Sequence, residues 1–407
     1  MSSDKEFDVI IWGATGFTGR LVAEYYLRHY GLTNDFKWAM AGRSQRKLEE
    51  IRSSLGNESI PLIVADSHDK ASLDAMVKRT KVICTTVGPY AKYGNELVAA
   101  CVENGVDYCD LAGETQWIRR MIDLHHEKAQ ETGSRIVHCC GFDSIPSDLG
   151  TYFLQKEAKK TFGEYCVKVK MLLKSASGGF SGGTYASMQN VMLEASKDSE
   201  VAKNLFNPYG LNPKGECFGA DKGDLQSVKF EADIGSWIMP FVMAAINTRV
   251  VRRSHALSGY PYGKDFQYEE AMVSGKGFIG RLKGYVGLLA LAAIMAGKPD
   301  SLYKRTLNRF FPKPGEGPSK EEREAGFYKF VVVGVFRDGE IMTAEVTGDR
   351  DPGYGSTSKM LGESAACLAL DKDKTPKVKG ILTPSVAMGD ALLGRLEKHA
   401  GLSFKVN

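Results

Sequence analysis

The chain has 407 residues, which is too long for one ordinary hydrophobic core and predicts two or three domains. With 43% hydrophobic and 25% charged residues, its composition is typical of a soluble globular protein. The net charge of +4 is too small to indicate a nucleic-acid partner. Because no helix-turn-helix, zinc-finger spacing or long basic run is present either, we expect no nucleic-acid binding.

The N-terminus, the cysteines and the histidines favour a cytoplasmic protein with no metal site. The first six residues contain no apolar signal-peptide core and do not resemble a transit peptide. The eight cysteines include no Cys-x-x-Cys pair, which predicts free and mostly buried thiols. The seven histidines are scattered and form no His-Glu-x-x-His or other metal-binding pattern.

The first 140 residues alternate between short β-branched runs and longer helical patterns. Strands are predicted at residues 7–12, 37–41, 62–65, 82–87, 107–110 and 135–139. Helices are predicted at residues 18–30, 44–56, 69–79, 95–104 and 117–132. Such alternation predicts an α/β fold with a parallel sheet covered on both faces. We therefore expect an N-terminal doubly wound Rossmann domain over residues 1–145.

The pattern changes after Gly141, where longer strand signals appear. They cover residues 167–173, 228–232, 328–336 and 341–348, and the last two could pair across the turn at 337–340. This predicts a second, largely antiparallel α+β domain over residues 146–350, used for substrate binding or dimerisation. Residues 351–407 are expected to form a C-terminal helical segment, with helices at 356–370 and after Pro384, that could pack back on the Rossmann domain.

A glycine-rich turn lies between the first predicted strand and the first predicted helix. Gly13, Gly16 and Gly19 have the spacing G-x-x-G-x-x-G. The first glycine permits a tight turn, the second lets backbone N–H groups approach a pyrophosphate, and the third lets helix and strand pack closely. The helix N-terminus adds its positive dipole end. We therefore expect this loop, with Thr15, Phe17 and Thr18, to bind a dinucleotide.

The end of the second predicted strand favours NADP over NAD. An NAD site usually carries Asp or Glu there to bind the ribose 2′-hydroxyl, whereas this chain has Arg43, a planar cation suited to a 2′-phosphate. Ser44, Arg46 and Lys47 could add donors, since cations at a helix N-terminus are unfavourable without a bound anion. Asp66, at the end of the third strand, could contact the adenine amino group or cap the next turn.

The turn after the fourth strand, Val87-Gly88-Pro89, should border the nicotinamide. In an open parallel sheet the ligand lies outside the carboxyl ends of the strands. Gly88 would let the backbone approach the cofactor, and Pro89 would stiffen the turn.

Several of these motifs, taken in order, resemble the saccharopine dehydrogenase-like oxidoreductases. They are GATGFTG at 13–19, AGRS at 41–44, TVGPY at 86–90, YCDLAGE at 108–114, GFDSIPSD at 141–148 and GGFSGGT at 178–184. The similarity is greatest to the trans-acting enoyl reductase branch, whose later segments match NTRVVRRS at 247–254, PKPGEGP at 312–318, GDRDPGY at 348–354 and GILTPSVAMGDALL at 380–393. The resemblance covers nearly the whole chain.

This resemblance implies a saccharopine-reductase-like second domain and an NADP-linked reduction. It also implies a small-molecule or carrier-bound acyl substrate, with an acyl carrier protein or polyketide synthase as the partner in lipid synthesis. We expect at most peripheral contact with a membrane or lipid, and the chain could form a homodimer.

Reduction of an activated C=C bond needs a hydride at the β-carbon and a proton at the α-carbon. Tyr90 and Tyr93 follow the turn at the fourth strand and could donate that proton, or they could form an aromatic wall against the cofactor ring. Asp143, at the crossing between the domains, is a third candidate. Asp110 and Glu114 could bind water or substrate, or cap the helix that begins near residue 116.

Three further segments have alternative interpretations. Ser181-Gly-Gly-Thr could line the substrate cleft or simply start a capped helix. Arg249, Arg252 and Arg253 could dock an acidic carrier protein, although such clusters are more often solvated strand faces. The apolar run 285–296 is shorter than the ~20 residues needed to span a bilayer. It favours a buried helix, with an acyl-chain tunnel, an interfacial helix or a subunit contact as alternatives.

The leading hypothesis is therefore an NADPH-dependent reductase of an enoyl thioester or related lipid intermediate. The first alternative is a saccharopine-type enzyme that makes or breaks a C–N bond to an amino acid. That chemistry needs several cations for α-carboxylates, and the sequence offers no assignable set. The second alternative is a non-catalytic module that binds NADP(H) as a redox signal.

Overall fold

A computed structural model describes residues 5–178, 182–217, 219–296, 301, 303 and 317–407. The N-terminal half contains β1 (Phe7–Trp12), α1 (Phe17–His29), β2 (Trp38–Gly42), α2 (Gln45–Ser54), β3 (Leu62–Val64), α3 (Lys70–Val77), β4 (Thr80–Thr85), α4 (Tyr90–Tyr93), α5 (Asn95–Glu103), β5 (Asp107–Cys109), α6 (Thr115–Thr132), β6 (Arg135–Val137), α7 (Ile145–Phe162), β7 (Lys168–Ser177), α8 (Gly182–Lys197) and α9 (Ser199–Phe206).

The C-terminal half adds seven strands and five helices within the described residues, together with short 3₁₀ and π-helical turns. They are β8 (Lys229–Glu231), β9 (Ser236–Met239), α10 (Ala244–Leu257), β10 (Gln267–Gly275), α11 (Gly277–Met295), α12 (Lys320–Ala325), β11 (Phe327–Val335), β12 (Ile341–Gly348), α13 (Thr357–Leu370), β13 (Gly380–Leu382), α14 (Pro384–Arg395) and β14 (Leu402–Val406).

The first sheet has the strand order β13-β6-β5-β4-β1-β2-β3, and all its pairings are parallel. The order 3-2-1-4-5-6 of its first six strands is that of a doubly wound Rossmann sheet, so the predicted fold class is confirmed. Side chains of successive residues of β1 pack into two different hydrophobic cores, one on each face of the sheet. Val9 and Ile11 pack in the core that contains α1 and α13, and Ile10 packs in the core that contains α5 and α6. Both faces are therefore covered, as the continuous apolar strands predict.

The second sheet has the order β14-β12-β11-β7-β10-β9-β8. Among the strand pairs of the described residues, only β7–β10 is parallel, so this sheet is largely antiparallel, as predicted. Helix α7 connects the two sheets, because it is the next helix after β6 and buries Leu149 and Leu154 in the same core as Val169 of β7. The carboxyl end of the first sheet therefore leads directly to the second domain.

The C-terminal segment contributes strands as well as the predicted helices. β13 pairs with β6 and extends the first sheet, while β14 pairs with β12 in the second. Helix α13 packs against α1, and the buried Glu363 accepts hydrogen bonds from the hydroxyls of Tyr25 (2.7 Å) and Tyr30 (2.6 Å). β13 was missed because a three-residue strand has too little periodicity to be recognised. The five-residue β14 was missed as well.

All eight cysteines are free, and seven of them are buried. The exception is the exposed Cys217. The prediction of free, mostly buried thiols is confirmed.

Helix α11 contradicts the prediction that the apolar run is a buried helix. The helix is longer than the run and lies on the surface, with Phe278 78% and Leu289 70% exposed. Among the described residues, its first 18 residues form the one segment long and apolar enough to cross a membrane, and 11% of that segment is buried. The error arose because composition reports how apolar a helix is, but not which way its side chains face.

Candidate cofactor and active site

The glycine-rich turn after β1 has the geometry of a phosphate-binding loop. Gly13 has φ +92°, a conformation that side chains rarely adopt, and its N–H donates to the carbonyl of Ala41 (3.0 Å). A Cβ at Gly19 would lie 2.2 Å from the carbonyl oxygen of Gly13, so only glycine lets α1 begin this close to the turn. Gly16 is exposed at the N-cap of α1, where no side chain caps the free N–H groups. These N–H groups are available to an anion.

The other loop residues surround Gly16. Thr15, Phe17 and Thr18 are all partly buried. The Phe17 ring meets the edge of Tyr354 at 4.6 Å between centroids, so the loop also contacts the segment after β12. The phosphate loop is thereby held by parts of the chain more than 300 residues away.

Arg43 follows β2 beside this loop. It is exposed, and no carboxylate of the described residues pairs with it. A Cβ at Gly42 would lie 3.5 Å from the Thr15 methyl group, which shows that the end of β2 and the glycine-rich turn adjoin. Ser44 accepts a hydrogen bond from the backbone N–H of Lys47 (3.4 Å) and caps α2. The exposed Lys47 side chain remains available to an anion.

Arg46 is the member of this basic group that is already paired. Its guanidinium bonds to Glu50 one turn along α2, and both side chains are exposed. Its predicted contribution to phosphate binding therefore has to compete with that pair.

Asp66 and Tyr93 lie together on the β3 side of the sheet. The Asp66 carboxylate accepts from the backbone N–H of His68 (2.9 Å), which favours the predicted turn cap over a contact with adenine. The His68 ring lies 5.8 Å from the ring of Tyr93. Tyr93 is therefore near the strands that bind the adenosine half of a dinucleotide, rather than at the place expected for a proton donor.

The turn formed by Val87, Gly88 and Pro89 lies against the glycine-rich turn. A Cβ at Gly13 would lie 2.6 Å from the Val87 side chain, and the Thr86 hydroxyl donates to the Gly13 carbonyl (3.3 Å). Gly88 is exposed and precedes a cis peptide bond to Pro89. The structure thus brings together the three segments that the sequence assigned to cofactor binding, at residues 13–19, 42–47 and 86–89.

Tyr90 does not face an open site. It is 3% exposed and stacks on Trp117, and its hydroxyl donates to the Thr85 carbonyl (3.3 Å). Burial raises its pKa well above the ordinary value. A buried phenol that is bonded to the backbone cannot reach a substrate, so its predicted role as a proton donor is corrected to packing.

Glu114 has a role that the sequence predicted only in part. Its buried carboxylate accepts from the backbone N–H groups of Tyr90 (2.8 Å) and Ala91 (3.0 Å), and from the Ser187 hydroxyl (2.9 Å). Glu114 therefore caps the start of α4, which lies across the sheet edge. The predicted capping role was for α6, the helix that follows Glu114 in the sequence. By capping α4, Glu114 fixes the turn beside Gly88 and links it to α8.

The carboxylate of Asp110 is hydrogen-bonded to the backbone and side chains around it. Its carboxylate is buried and accepts from the Tyr108 hydroxyl (2.8 Å) and the backbone N–H groups of Ala112 (3.0 Å) and Cys139 (3.1 Å). One of its oxygens also lies 2.7 Å from Nδ1 of His138. Asp110 thus joins the carboxyl ends of β5 and β6 and leaves no room for substrate.

Asp143 differs from these two acids because its carboxyl group has no hydrogen-bond partner among the described residues. It follows β6, and a Cβ at Gly113, which follows the neighbouring β5, would lie 3.7 Å from its Oδ2. The residue is partly exposed, but protein surrounds its carboxyl group, and this desolvation raises the pKa to about 7. Asp143 is therefore a carboxylic acid able to hold or release a proton near neutral pH, at the edge where the cofactor segments converge.

The residues on either side of Asp143 hold the segment between β6 and α7 in position by hydrogen bonds. The buried Ser144 donates to Asn247 of α10 (3.0 Å), and the backbone N–H of Phe142 donates to the Thr357 hydroxyl (3.0 Å). The roles of Asn247 and Thr357 could not be predicted from the sequence, because their relation to Asp143 depends on contacts between residues more than 100 positions apart.

The arginine cluster is not a docking surface. Arg249, Arg252 and Arg253 lie on helix α10 rather than on a strand, and each is 2% exposed. Arg249 pairs with Asp224, and Arg252 pairs with Asp221 (2.6 Å). Arg253 donates to backbone carbonyls, including that of Ile381 (2.6 Å). The three side chains hold surrounding backbone against α10, so the prediction of carrier docking at this cluster is wrong.

Two predicted features fall partly outside the described residues. These are residues 179–181 of the motif at 178–184, with its Ser181 turn, and residues 312–316 of the motif at 312–318.

Comparison with known proteins agrees with this geometry. Residues 9–137 match the family model of the saccharopine dehydrogenase NADP-binding domain. A solved structure of saccharopine dehydrogenase (L-Glu forming) from Saccharomyces cerevisiae covers 98% of this chain and 100% of its own, with a TM-score of 0.54 and 14% sequence identity. At that identity the likeness shows a shared fold.

Relatives identified by sequence are more similar to this chain than that solved structure is. A Mycobacterium tuberculosis protein whose name places it among the trans-acting enoyl reductases is 41% identical over 99% of this chain and 98% of its own length. The trans-acting enoyl reductase of Mycobacterium ulcerans is 40% identical over 97% of this chain and 96% of its own. The chain therefore belongs to the trans-acting enoyl reductase family, within the saccharopine dehydrogenase-like oxidoreductases.

Proposed function

We propose that this protein reduces the C=C bond of an enoyl thioester with NADPH, and that Asp143 supplies the proton. The names of the full-length relatives support the enoyl acceptor. The observation that carries the mechanism is the unpaired carboxyl group of Asp143, beside Gly113 at the carboxyl edge of the sheet. No other acid singled out at this edge is free, since Asp110 and Glu114 are both bonded to backbone N–H groups.

The residues present fit NADP. Gly13 and Gly19 allow the turn, the Val87 side chain and α1 to pack closely, the exposed Gly16 leaves the start of α1 open to a diphosphate, and α1 offers uncapped N–H groups. Arg43 and Lys47 are exposed cations at the end of β2, the position where a 2′-phosphate lies in this fold. Bound NADPH would supply the hydride for the β-carbon.

The chain itself supplies orientation and the proton. The glycine-rich turn and the Val87–Pro89 turn, fixed by Thr86 and Glu114, would hold the nicotinamide end against the carboxyl edge. Protonated Asp143 would then donate to the α-carbon as negative charge develops on the thioester enolate, and it would be left as a carboxylate. That carboxylate is reprotonated from solvent before the next turnover.

The substrate form we propose is an acyl chain carried as a thioester, on coenzyme A or on a carrier protein. Because Arg249, Arg252 and Arg253 are buried, an acidic carrier has to bind elsewhere on the surface.

The decisive assay compares two reactions at saturating cofactor. We expect NADPH oxidation with an enoyl thioester, followed as loss of absorbance, and no NADP reduction with saccharopine. Saccharopine-dependent reduction would replace the proposal with C–N chemistry. Tight NADPH binding without either reaction would favour a binding module.

The cofactor preference can be tested at Arg43. In the Arg43→Asp variant we expect NADPH affinity to fall by about 10–100-fold, because one charge-assisted contact of about 1.5–3 kcal/mol is lost and a repulsive charge is added. NADH affinity should change little, since NADH has no 2′-phosphate. Titration calorimetry with both cofactors measures this.

Arg46→Asp is the matched control, because Arg46 is already paired with Glu50. It should lose less NADPH affinity than Arg43→Asp. An undiminished preference for NADPH in Arg43→Asp would show that another residue recognises the 2′-phosphate.

A further inference from the structure

Helix α11 turns three of its glycines toward the protein and its large apolar side chains toward solvent. Gly280, Gly284 and Gly287 form the face that packs on the second sheet. Their contacts are with Gly275, Val228 and Met239, respectively. Such close packing fixes the helix along the sheet through residue 287. The orientation is the reverse of that in an ordinary surface helix, whose apolar stripe faces the core.

The outward face of α11 is a continuous apolar surface. Its exposed side chains are Phe278 (78%), Ile279 (68%), Leu282 (54%), Val286 (59%) and Leu289 (70%). Phe230, which is 49% exposed, stands next to the helix through the Trp237 ring. Single exposed apolar residues are normal, but a contiguous group on one helix indicates a surface that is covered in use.

The charges along α11 and the residues just before it are of one sign. Lys276, Arg281 and Lys283 are all exposed at the N-terminal end of α11, and the sequence has no Asp or Glu between residues 271 and 296. The Arg281 guanidinium lies over the rings of Trp237 (5.2 Å) and Tyr285 (5.9 Å). Cations at a helix N-terminus oppose its dipole, so an anionic partner would relieve that repulsion.

We propose that α11 lies flat on an anionic phospholipid bilayer, with its outward apolar side chains among the acyl chains and its three cations at the phosphates. Apolar area and cationic charge are the two contributions that bind an interfacial helix to lipid. The helix does not span the bilayer in this proposal, because its glycine face is attached to the second sheet. A second copy using the same face would offer no carboxylate along residues 271–296 to pair with the cations.

Co-sedimentation of the full chain with vesicles tests this inference. We expect binding to phosphatidylglycerol-containing vesicles and much weaker binding to vesicles of phosphatidylcholine alone. Leu282→Glu with Leu289→Glu should lower vesicle affinity at least tenfold. Lys276→Gln with Lys283→Gln should lower it about 25-fold on anionic vesicles, at about fivefold for each cation.

Matched controls come from exposed residues elsewhere. Leu124→Glu removes an exposed leucine (62%) on α6, and Lys377→Gln with Lys398→Gln removes two exposed cations of the C-terminal segment. Both control proteins should bind vesicles like the wild type. NADPH affinity should be unchanged in every variant, which shows that the proteins are folded and separates this inference from the proposed reaction.

Two outcomes would overturn the proposal. One is equal binding to both kinds of vesicle, or to neither. The other is a wild-type dimer in sedimentation equilibrium that the double Glu variant converts to a monomer while vesicle binding stays the same. That result would assign the face to a second copy of the chain.

Discussion

Replacing Asp143 with Asn lowers kcat for an enoyl thioester by about 10²–10⁴, which is the contribution of a positioned general acid. The amide keeps the shape of the side chain but cannot release a proton at neutral pH. Because burial raises the pKa of Asp143 to about 7, the acid is protonated below that pH and ionised above it. The wild-type kcat should therefore fall as pH rises through about 7, and this fall should be absent in Asp143→Asn. Steady-state rates across that pH range measure both effects.

Folding stability provides an independent check on the same residue. A carboxyl group whose pKa is raised in the folded state stabilises the protein at low pH, and that contribution is lost as pH rises from about 4 to about 7. Asp143→Asn should remove this decline, while NADPH affinity stays as in the wild type. A variant that keeps the wild-type kcat and its alkaline fall would show that another group donates the proton.

The second large effect is expected at Gly19. An alanine there would place its Cβ 2.2 Å from the Gly13 carbonyl oxygen and 2.8 Å from the Thr86 hydroxyl. Since the first contact is with backbone, the start of α1 has to shift, and we expect a loss of about 3 kcal/mol or more in the free energy of unfolding. NADPH binding should be lost with it, because the phosphate loop begins at Gly13. Urea denaturation and titration calorimetry measure the two losses.

Gly16→Ala separates stability from binding in the same loop. Gly16 is exposed and has φ −81°. A Cβ added there would have the Gly13 carbonyl oxygen as its nearest neighbour, at 3.3 Å. We expect near-normal stability but weaker NADPH binding, because the methyl group occupies the space of the diphosphate. Equal stability of Gly16→Ala and Gly19→Ala would contradict the close contact between α1 and the turn.

The first sheet was predictable because each of its first six strands is a short apolar run bounded by turn residues. The cofactor segments were predictable for a related reason: in a parallel sheet the ends of β1, β2 and β4 meet at one edge. Local pattern and global fold agree there, so each segment could be placed without knowledge of its neighbours.

The predictions that were wrong are those that depend on the surroundings of a side chain in the fold. Arginine and tyrosine are residue types that suit a surface or an active site. Arg253 and Tyr90 are nevertheless buried, and each donates hydrogen bonds to backbone carbonyls. Asp143, by contrast, stands out only because it lacks such partners, and a sequence cannot show an absence of partners. For α11 the pattern gave the helix, but its orientation depends on how closely three glycines fit the second sheet.

The strand β13 ties the nucleotide-binding sheet to the last part of the chain. Its partner strand β6 carries Arg135, whose guanidinium donates to the Thr375 hydroxyl, 240 residues later. During synthesis the sheet therefore keeps an open edge until residues 380–382 have left the ribosome. A fragment ending at residue 145 would carry that same bare edge, ready to pair with other chains. The cofactor-binding sheet is thus begun by β1 but completed only by a strand more than 240 residues after β6.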